Sequence, residues 1–405
     1  MIKELYRKNS IKDKRLKHLV ALIYEYGPLS KSDLMEKAEL TTTTCSRLLD
    51  DLLTEKIVTE SGYGESSGGR KPFLFEINTN FYYLIGIDIS RSYTKVLLMD
   101  IKLNVLNEAR LKMGVLSTPN ATVDFIEQNI EQMLTNENIS KDRILGIGVG
   151  TIGPLDSKSG IILNPNQFPS SGWKDIPIKD ILEERLGLEV LVDYGVNTAL
   201  LAEYNNHYKD QYSNIIYMLK GVGSRTGMII EGKLKPGTDK LGIHGQGHMI
   251  VDIHGRKCYC GSYGCVQAYS SIQAINTDII NALKQGKKSI LTEMTDDIET
   301  IDFDDICYAV RNNDPLSCDI VENSAYYTGI GISNLINVLH PDLIIVNGAT
   351  YNMKLFYDTV VKVATERSNI IFPNHTLHFS RGYLGENATA IGAGRLLVTK
   401  YLSDL

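Results

Sequence analysis

Two stretches of this chain repeat one pattern. Tyr83-Leu84-Ile85-Gly86-Ile87-Asp88-Ile89-Ser90 turns and returns as Tyr93-Thr94-Lys95-Val96-Leu97-Leu98-Met99-Asp100. Ile215-Ile216-Tyr217-Met218-Leu219 turns through Gly221-Val222-Gly223-Ser224-Arg225-Thr226-Gly227 and returns as Met228-Ile229-Ile230. Each reads as strand, tight polar turn, strand, with backbone N–H groups in the turn available to an anion. Apolar runs at 144–149, 189–192 and 343–347 read as further strands. Runs at 178–186, 197–204 and 386–401 read as helices. That alternation predicts an α/β fold with helices packed on both faces of its sheets. The repetition predicts two similar halves with a cleft between them.

At 405 residues the chain is too long for one ordinary domain. No stretch reaches the ~20 apolar residues of a membrane helix. The only apolar run near the N-terminus, residues 19–24, is too short for a signal-peptide core, so a cytoplasmic protein is expected. Residues 1–80 hold 13 Lys/Arg against 12 Asp/Glu, whereas the other 325 hold 29 against 36. An acidic body repels phosphate, so any nucleic-acid contact belongs to the head.

The head has the punctuation of a DNA-binding module. Leu16, Leu19, Val20, Ile23 and Tyr24 recur at helical spacing over 14–26, and Gly27-Pro28 ends the run. Ser30 is placed to cap a second helix over 31–38. A third helix runs from Thr42 to about Thr54, with Leu48, Leu49, Leu52 and Leu53 inward and Thr42, Thr43, Thr44, Ser46 and Arg47 at its exposed start. A helix-turn-helix offers such N-terminal side chains to the major groove. Residues 56–60 and 73–77 then flank a Gly/Ser-rich tip bearing Arg70 and Lys71, a β-hairpin wing suited to phosphate or minor-groove contact. A helical protein-interaction module with a Gly-rich linker is the plainer alternative.

Three of the six cysteines are crowded into Cys258-Tyr259-Cys260-Gly261-Ser262-Tyr263-Gly264-Cys265. With one nearby imidazole they make a set for tetrahedral Zn²⁺, and four protein ligands leave no open position, so the metal is structural. His244, His248 and His254 compete for the fourth place. Cys45, Cys307 and Cys318 are isolated and read as packed residues.

Gly86-Ile87-Asp88, Gly150-Thr151-Ile152-Gly153-Pro154-Leu155-Asp156, and Gly247-His248 followed by the cysteine run together resemble the ROK family of repressors, open reading frames and sugar kinases. The resemblance covers essentially the whole chain, and the winged head makes it similar to the xylose-repressor type. It implies an actin-like, sugar-kinase-like two-lobe body, a sugar in the interlobe cleft, homodimers or homotetramers, and zinc held by His248, Cys258, Cys260 and Cys265. The implied domains are a winged helix-turn-helix over 1–80, a first lobe over 81–200 completed by 385–405, and a second lobe over 201–384. Its sugar-binding positions fall on Asn164, Asn166, Tyr194, Asn197, His248 and Gln267.

The kinases of the family open on an Asp-x-Gly-Gly-Thr-like turn, where this chain has Asp88-Ile89-Ser90-Arg91-Ser92-Tyr93-Thr94. Their Asn-Asp-x-Asn becomes Asp193-Tyr194-Gly195-Val196-Asn197. Glycine has no side chain to accept a proton, so the general base is missing. The acidic positions of the sugar site are also changed, to Gln267 and Gly245, and Tyr194 replaces an Asn. Asn164 and Asn166 flank Pro165 and also fit simple turn chemistry. Trp173 fits core packing as readily as sugar stacking. The expected function is a repressor of carbohydrate-utilisation genes on an inverted-repeat operator, controlled by a sugar or sugar derivative and without kinase activity. The alternatives are a kinase with a DNA-binding head, or a ligand-independent DNA-binding protein.

Overall fold

The computed structural model describes residues 3, 6, 10–65, 71–165, 168–221, 223–235 and 245–402. Two compact units emerge: Met1–Ala199 with Thr389–Leu405, and Leu200–Ala388.

The first unit begins with the head. Helix α1 (Ile11–Tyr26) starts three residues earlier than its apolar spacing predicts, because Ser10 and Asp13 form a capping box ahead of the first buried side chain. Strand β1 (Leu29–Ser30) leads into α2 (Lys31–Lys37), capped by Ser30 as expected. Helix α3 (Thr42–Thr54) is capped by Thr41 and buries Cys45, Leu48, Leu49 and Leu52, while Leu53 is only half-buried. Strands β2 (Val58–Tyr63) and β3 (Phe73–Ile77) close a three-stranded sheet of order β1-β3-β2. Three helices and this hairpin make a winged helix.

The body of the first unit is a five-stranded sheet. Its strands are β4 (Tyr83–Ile89), β5 (Tyr93–Asp100), β6 (Val105–Lys112), β7 (Ile144–Thr151) and, beyond a small β8 (Leu155–Asp156) and β9 (Ile161–Ile162) hairpin, β10 (Val190–Tyr194), ordered β10-β7-β4-β5-β6. Helices α4 (Pro119–Asn136) and α5 (Ile178–Leu186) join the strands, and α6 (Gly195–Glu203) follows β10. One wider turn, Tyr204–Tyr208, extends it, with Lys209 N donating to Tyr204 O.

The second unit repeats the plan. Its strands β11 (Ile215–Lys220), β12 (Ser224–Ile230), β13 (Lys233–Leu234), β14 (Leu343–Asn347) and β15 (His378–Ser380) run in the order β13-β12-β11-β14-β15. In both sheets the first strand is central, pairs antiparallel with its hairpin partner on one side and parallel with a crossover strand on the other. The body is therefore the duplicated, actin-like α/β fold expected. Helices α7 (Val266–Ser270), α8 (Ile272–Lys284), α9 (Leu291–Met294), α10 (Phe303–Arg311), α11 (Pro315–Leu339) and α12 (Lys354–Ile371) complete the unit.

Helix α13 (Ala388–Leu402) returns to the first unit and lies on its sheet at backbone distance. A methyl group at Gly148 would sit 1.8 Å from Ala393 O, and one at Gly392 would sit 1.7 Å from Thr198 O of α6. Only glycine permits either approach.

Candidate metal centre and head surface

The Cys258–Cys265 run folds into a tight knuckle. Cys258 N donates to Ser262 O at 2.8 Å, and Gly261 N donates to Cys258 O at 3.0 Å. Gly264 takes φ +70° with Asp252 O where a Cβ would stand, so the chain turns there only as glycine. The short helix at Gly245–His248 brings in the imidazole.

One donor atom from each of His248, Cys258, Cys260 and Cys265 lies within 4.8 Å of all the others. Cys260 Sγ and Cys265 Sγ are 3.8 Å apart, and Cys258 Sγ is 3.6 Å from His248 Nδ1. A zinc tetrahedron with Zn–S of about 2.3 Å and Zn–N of about 2.05 Å has edges of about 3.8 Å between sulfurs and about 3.6 Å from sulfur to nitrogen. The donors already stand at metal spacing, so the residues fit zinc. His254 is outside the cluster, and His244 lies outside the described residues.

Without a bound cation, burial opposes ionisation of two of these thiols. Burial pushes the Cys258 thiol up, and that of Cys265 up to about 12. Burial would also raise Cys260, but hydrogen bonds, first that from Ser262 N, bring it down. Three converging sulfurs ionise together only around a positive charge. Burial lowers His248, keeping the neutral imidazole a metal needs. Its other nitrogen, Nε2, faces the Tyr259 hydroxyl at 3.3 Å, the position of an orienting partner that sequence reading missed although it sits inside the motif.

On the head, Thr42, Thr43 and Arg47 are exposed at the start of α3. Thr44 and Ser46 are less available. The Thr44 hydroxyl accepts from the capping Thr41 hydroxyl at 2.9 Å. The Ser46 hydroxyl donates to Thr42 O at 2.9 Å and accepts from Lys31 Nζ, a basic group at this surface that no sequence pattern singled out. Lys71 is exposed beside the wing, and Arg70 lies outside the described residues.

The other expected ligand positions are scattered in character. Asn164 is exposed and Asn166 lies outside the described residues. Asn197 is buried near the start of α6, with Nδ2 donating to Asp193 Oδ1 at 3.3 Å. Gln267 is buried in α7, its Oε1 beside Gly247. Tyr194 is 3% exposed, and its hydroxyl donates to Leu155 O and accepts from Leu155 N, each at 3.0 Å, clamping β10 to β8. Trp173 is buried, stacks on Phe168 and donates to Ser117 O, which is core packing.

Residues 84–400 match the model of the ROK family. The chain belongs to the ROK family. It is 27% identical to the xylose repressor of Bacillus spizizenii over 97% of both chains, and 28% identical to that of Caldicellulosiruptor bescii over 93% of both. It is also 26% identical to the glucokinase of Halalkalibacterium halodurans, over 78% of this chain and 94% of that one. Among solved structures, a ROK family transcriptional regulator superposes over 97% of this chain and 98% of its own with a TM-score of 0.78 at 22% identity. A Streptomyces griseus ROK glucokinase reaches 0.65 at 25% identity, over 78% and 98%.

The family thus holds both repressors and kinases, and the turns of this ROK chain bear on which it resembles chemically. In the first turn, Ser90 N donates to Tyr93 O at 2.9 Å, its hydroxyl donates to the same oxygen at 2.7 Å, and Tyr93 N donates to Ser90 Oγ at 3.2 Å. Those amides close the hairpin instead of facing a phosphate. The second turn is shorter than its sequence predicts. Ser224, Arg225, Thr226 and Gly227 are strand residues paired with Lys220, Leu219, Met218 and Tyr217. The ladder takes residues that sequence alone assigned to a loop, because pairing with β11 satisfies their backbone groups. At Gly195, a Cβ would stand 3.2 Å from the Thr389 methyl, so the position of the lost base is also tight.

Proposed function

We propose that the chain is a cytoplasmic, sugar-responsive transcriptional repressor that binds an inverted-repeat operator as a homodimer or homotetramer and does not phosphorylate sugars. Residues 1–80 are its DNA-binding head. Residues 81–200 with 385–405, and 201–384, are the lobes of its effector-binding body. The observation that carries the reading is the winged helix with Thr42, Thr43 and Arg47 exposed at the start of α3, the geometry that enters a major groove. Likeness to xylose repressors along nearly the whole chain, head included, supports it. Self-bonded turns and Gly195 support the absence of phosphotransfer.

By the family resemblance, Asn164, Asn166, Tyr194, Asn197, His248 and Gln267 are the positions proposed to bind a sugar or sugar-derivative effector. His248, Cys258, Cys260 and Cys265 hold a structural Zn²⁺, whose bound charge keeps the three thiolates ionised. The test selects genomic fragments on the full chain and measures affinity by anisotropy at two salt concentrations, with and without D-xylose, D-glucose and N-acetylglucosamine. Tight, salt-dependent binding weakened by one sugar establishes the reading. Absent specific binding together with ATP-dependent phosphorylation of any of these sugars overturns it.

A further inference from the structure

We propose that α13 couples the effector end of the first unit to the DNA-binding head, with Thr389 as its input contact and Arg395 as its output contact. The inference rests on the reading above of a ligand-binding body and a DNA-binding head. At one end, the Thr389 hydroxyl donates to Gly195 O at 3.3 Å. Gly195 opens α6, the helix that carries Asn197. The same helix is pressed onto α13 where Thr198 O meets Gly392. A ligand that draws on Asn197 therefore moves a helix already touching α13 backbone to backbone.

Six residues along α13, about 9 Å at the helical rise, Arg395 reaches the head. Its Nη1 donates to the Tyr24 hydroxyl at 3.3 Å, and its guanidinium carbon lies 5.6 Å from the centre of the Tyr24 ring. Arg395 is 8% exposed, so the contact is shielded from water and salt. Tyr24 is in the last turn of α1, the helix that buries Leu16, Leu19, Val20 and Ile23 in the winged-helix core. Farther along, Tyr401 meets Tyr6 edge-on at 5.4 Å.

Between the two contacts α13 has no slack. Gly86 and Gly148 let Ala390 O and Ala393 O sit where side chains would otherwise stand on the sheet. Backbone-to-backbone packing transmits a displacement because no rotamer change can absorb it. Coupling of this kind is reciprocal, so each end must report on the other.

The test is amide hydrogen exchange on the full chain without DNA or sugar, comparing Thr389→Val, Tyr24→Phe, Arg395→Met and the Thr389→Val/Arg395→Met double variant. Thr389→Val keeps the shape and removes the bond to Gly195. It is expected to speed exchange in the last two turns of α1 about threefold, an effect absent when it is added to Arg395→Met. Tyr24→Phe is expected to speed exchange in α6 by a similar factor, and it decides the matter if Thr389→Val fails to fold. Changes confined to the mutated end in both variants overturn the proposal. Operator affinity of the wild-type chain, measured in parallel, reports separately on the DNA-binding reading.

Discussion

Cys260 Sγ stands 3.8 Å from Cys265 Sγ, the sulfur–sulfur edge of a zinc tetrahedron, although burial pushes the Cys265 thiol up while hydrogen bonds bring Cys260 down. Purified chain is therefore expected to carry about one zinc per protomer by elemental analysis. Cys265→Ser, at a buried ligand, is expected to lose the metal and about 3 kcal/mol or more of stability, lowering the melting midpoint by roughly 6–12 °C. Zinc content unchanged in that variant would remove the site.

Lys220 is buried, and its Nζ donates to the hydroxyls of Ser270 at 2.6 Å and Thr328 at 3.3 Å. Burial lowers its pKa from 10.5 to about 7. Between those values the unfolded chain binds a proton that the folded chain lacks, so stability rises with pH across that window and the cost of burying the charge is complete below about pH 7. Both hydroxyls keep their own acceptors, Val266 O and Ser324 O, when the lysine is removed. Lys220→Met is expected to stabilise the chain at pH 7, with the gain shrinking by roughly 2 kcal/mol by pH 9. Denaturant melts at the two pH values check this; a gain independent of pH refutes it.

Arg47 is exposed next to Thr43 on the surface proposed to meet DNA. Arg47→Ala is expected to weaken operator binding by about tenfold at physiological salt and to reduce the slope of log affinity against log salt by about one if the contact is to phosphate. An unchanged slope with altered base preference would assign Arg47 to a base edge instead.

Gly195 is not a single missing part. Restoring the carboxylate with Gly195→Asp is expected to leave ATP turnover with D-glucose and D-xylose at background in a coupled ADP assay. Ser90 N and Tyr93 N still bond within the first hairpin, and Ser224–Gly227 remain in a ladder. Turnover regained by this one change would show that the turns open on nucleotide binding.

Sequence made local features readable and distant ones unreadable. The knuckle was legible because three of its ligands and both of its turning glycines fall within eight residues. The strands were legible as apolar runs, and Ser30 as a cap. The extent of β12 was not, since Ser224–Gly227 look like turn residues and only pairing with β11 makes them strand. Nor was the bond from Lys31 Nζ to the Ser46 hydroxyl, made across fifteen positions. Neither Tyr24 nor Arg395 carries a pattern of its own, because 371 residues separate them and only the fold brings them together.

The position of α13 also orders the birth of the molecule. Its glycine-lined seat on the first sheet stays uncovered while the ribosome makes everything from 200 to 388, a compact unit that can finish ahead of it. The half synthesised first is completed last. A nascent chain consequently holds an open face on its first sheet until α13 emerges, which makes any stop ahead of α13 costly and that sheet a natural client for chaperones.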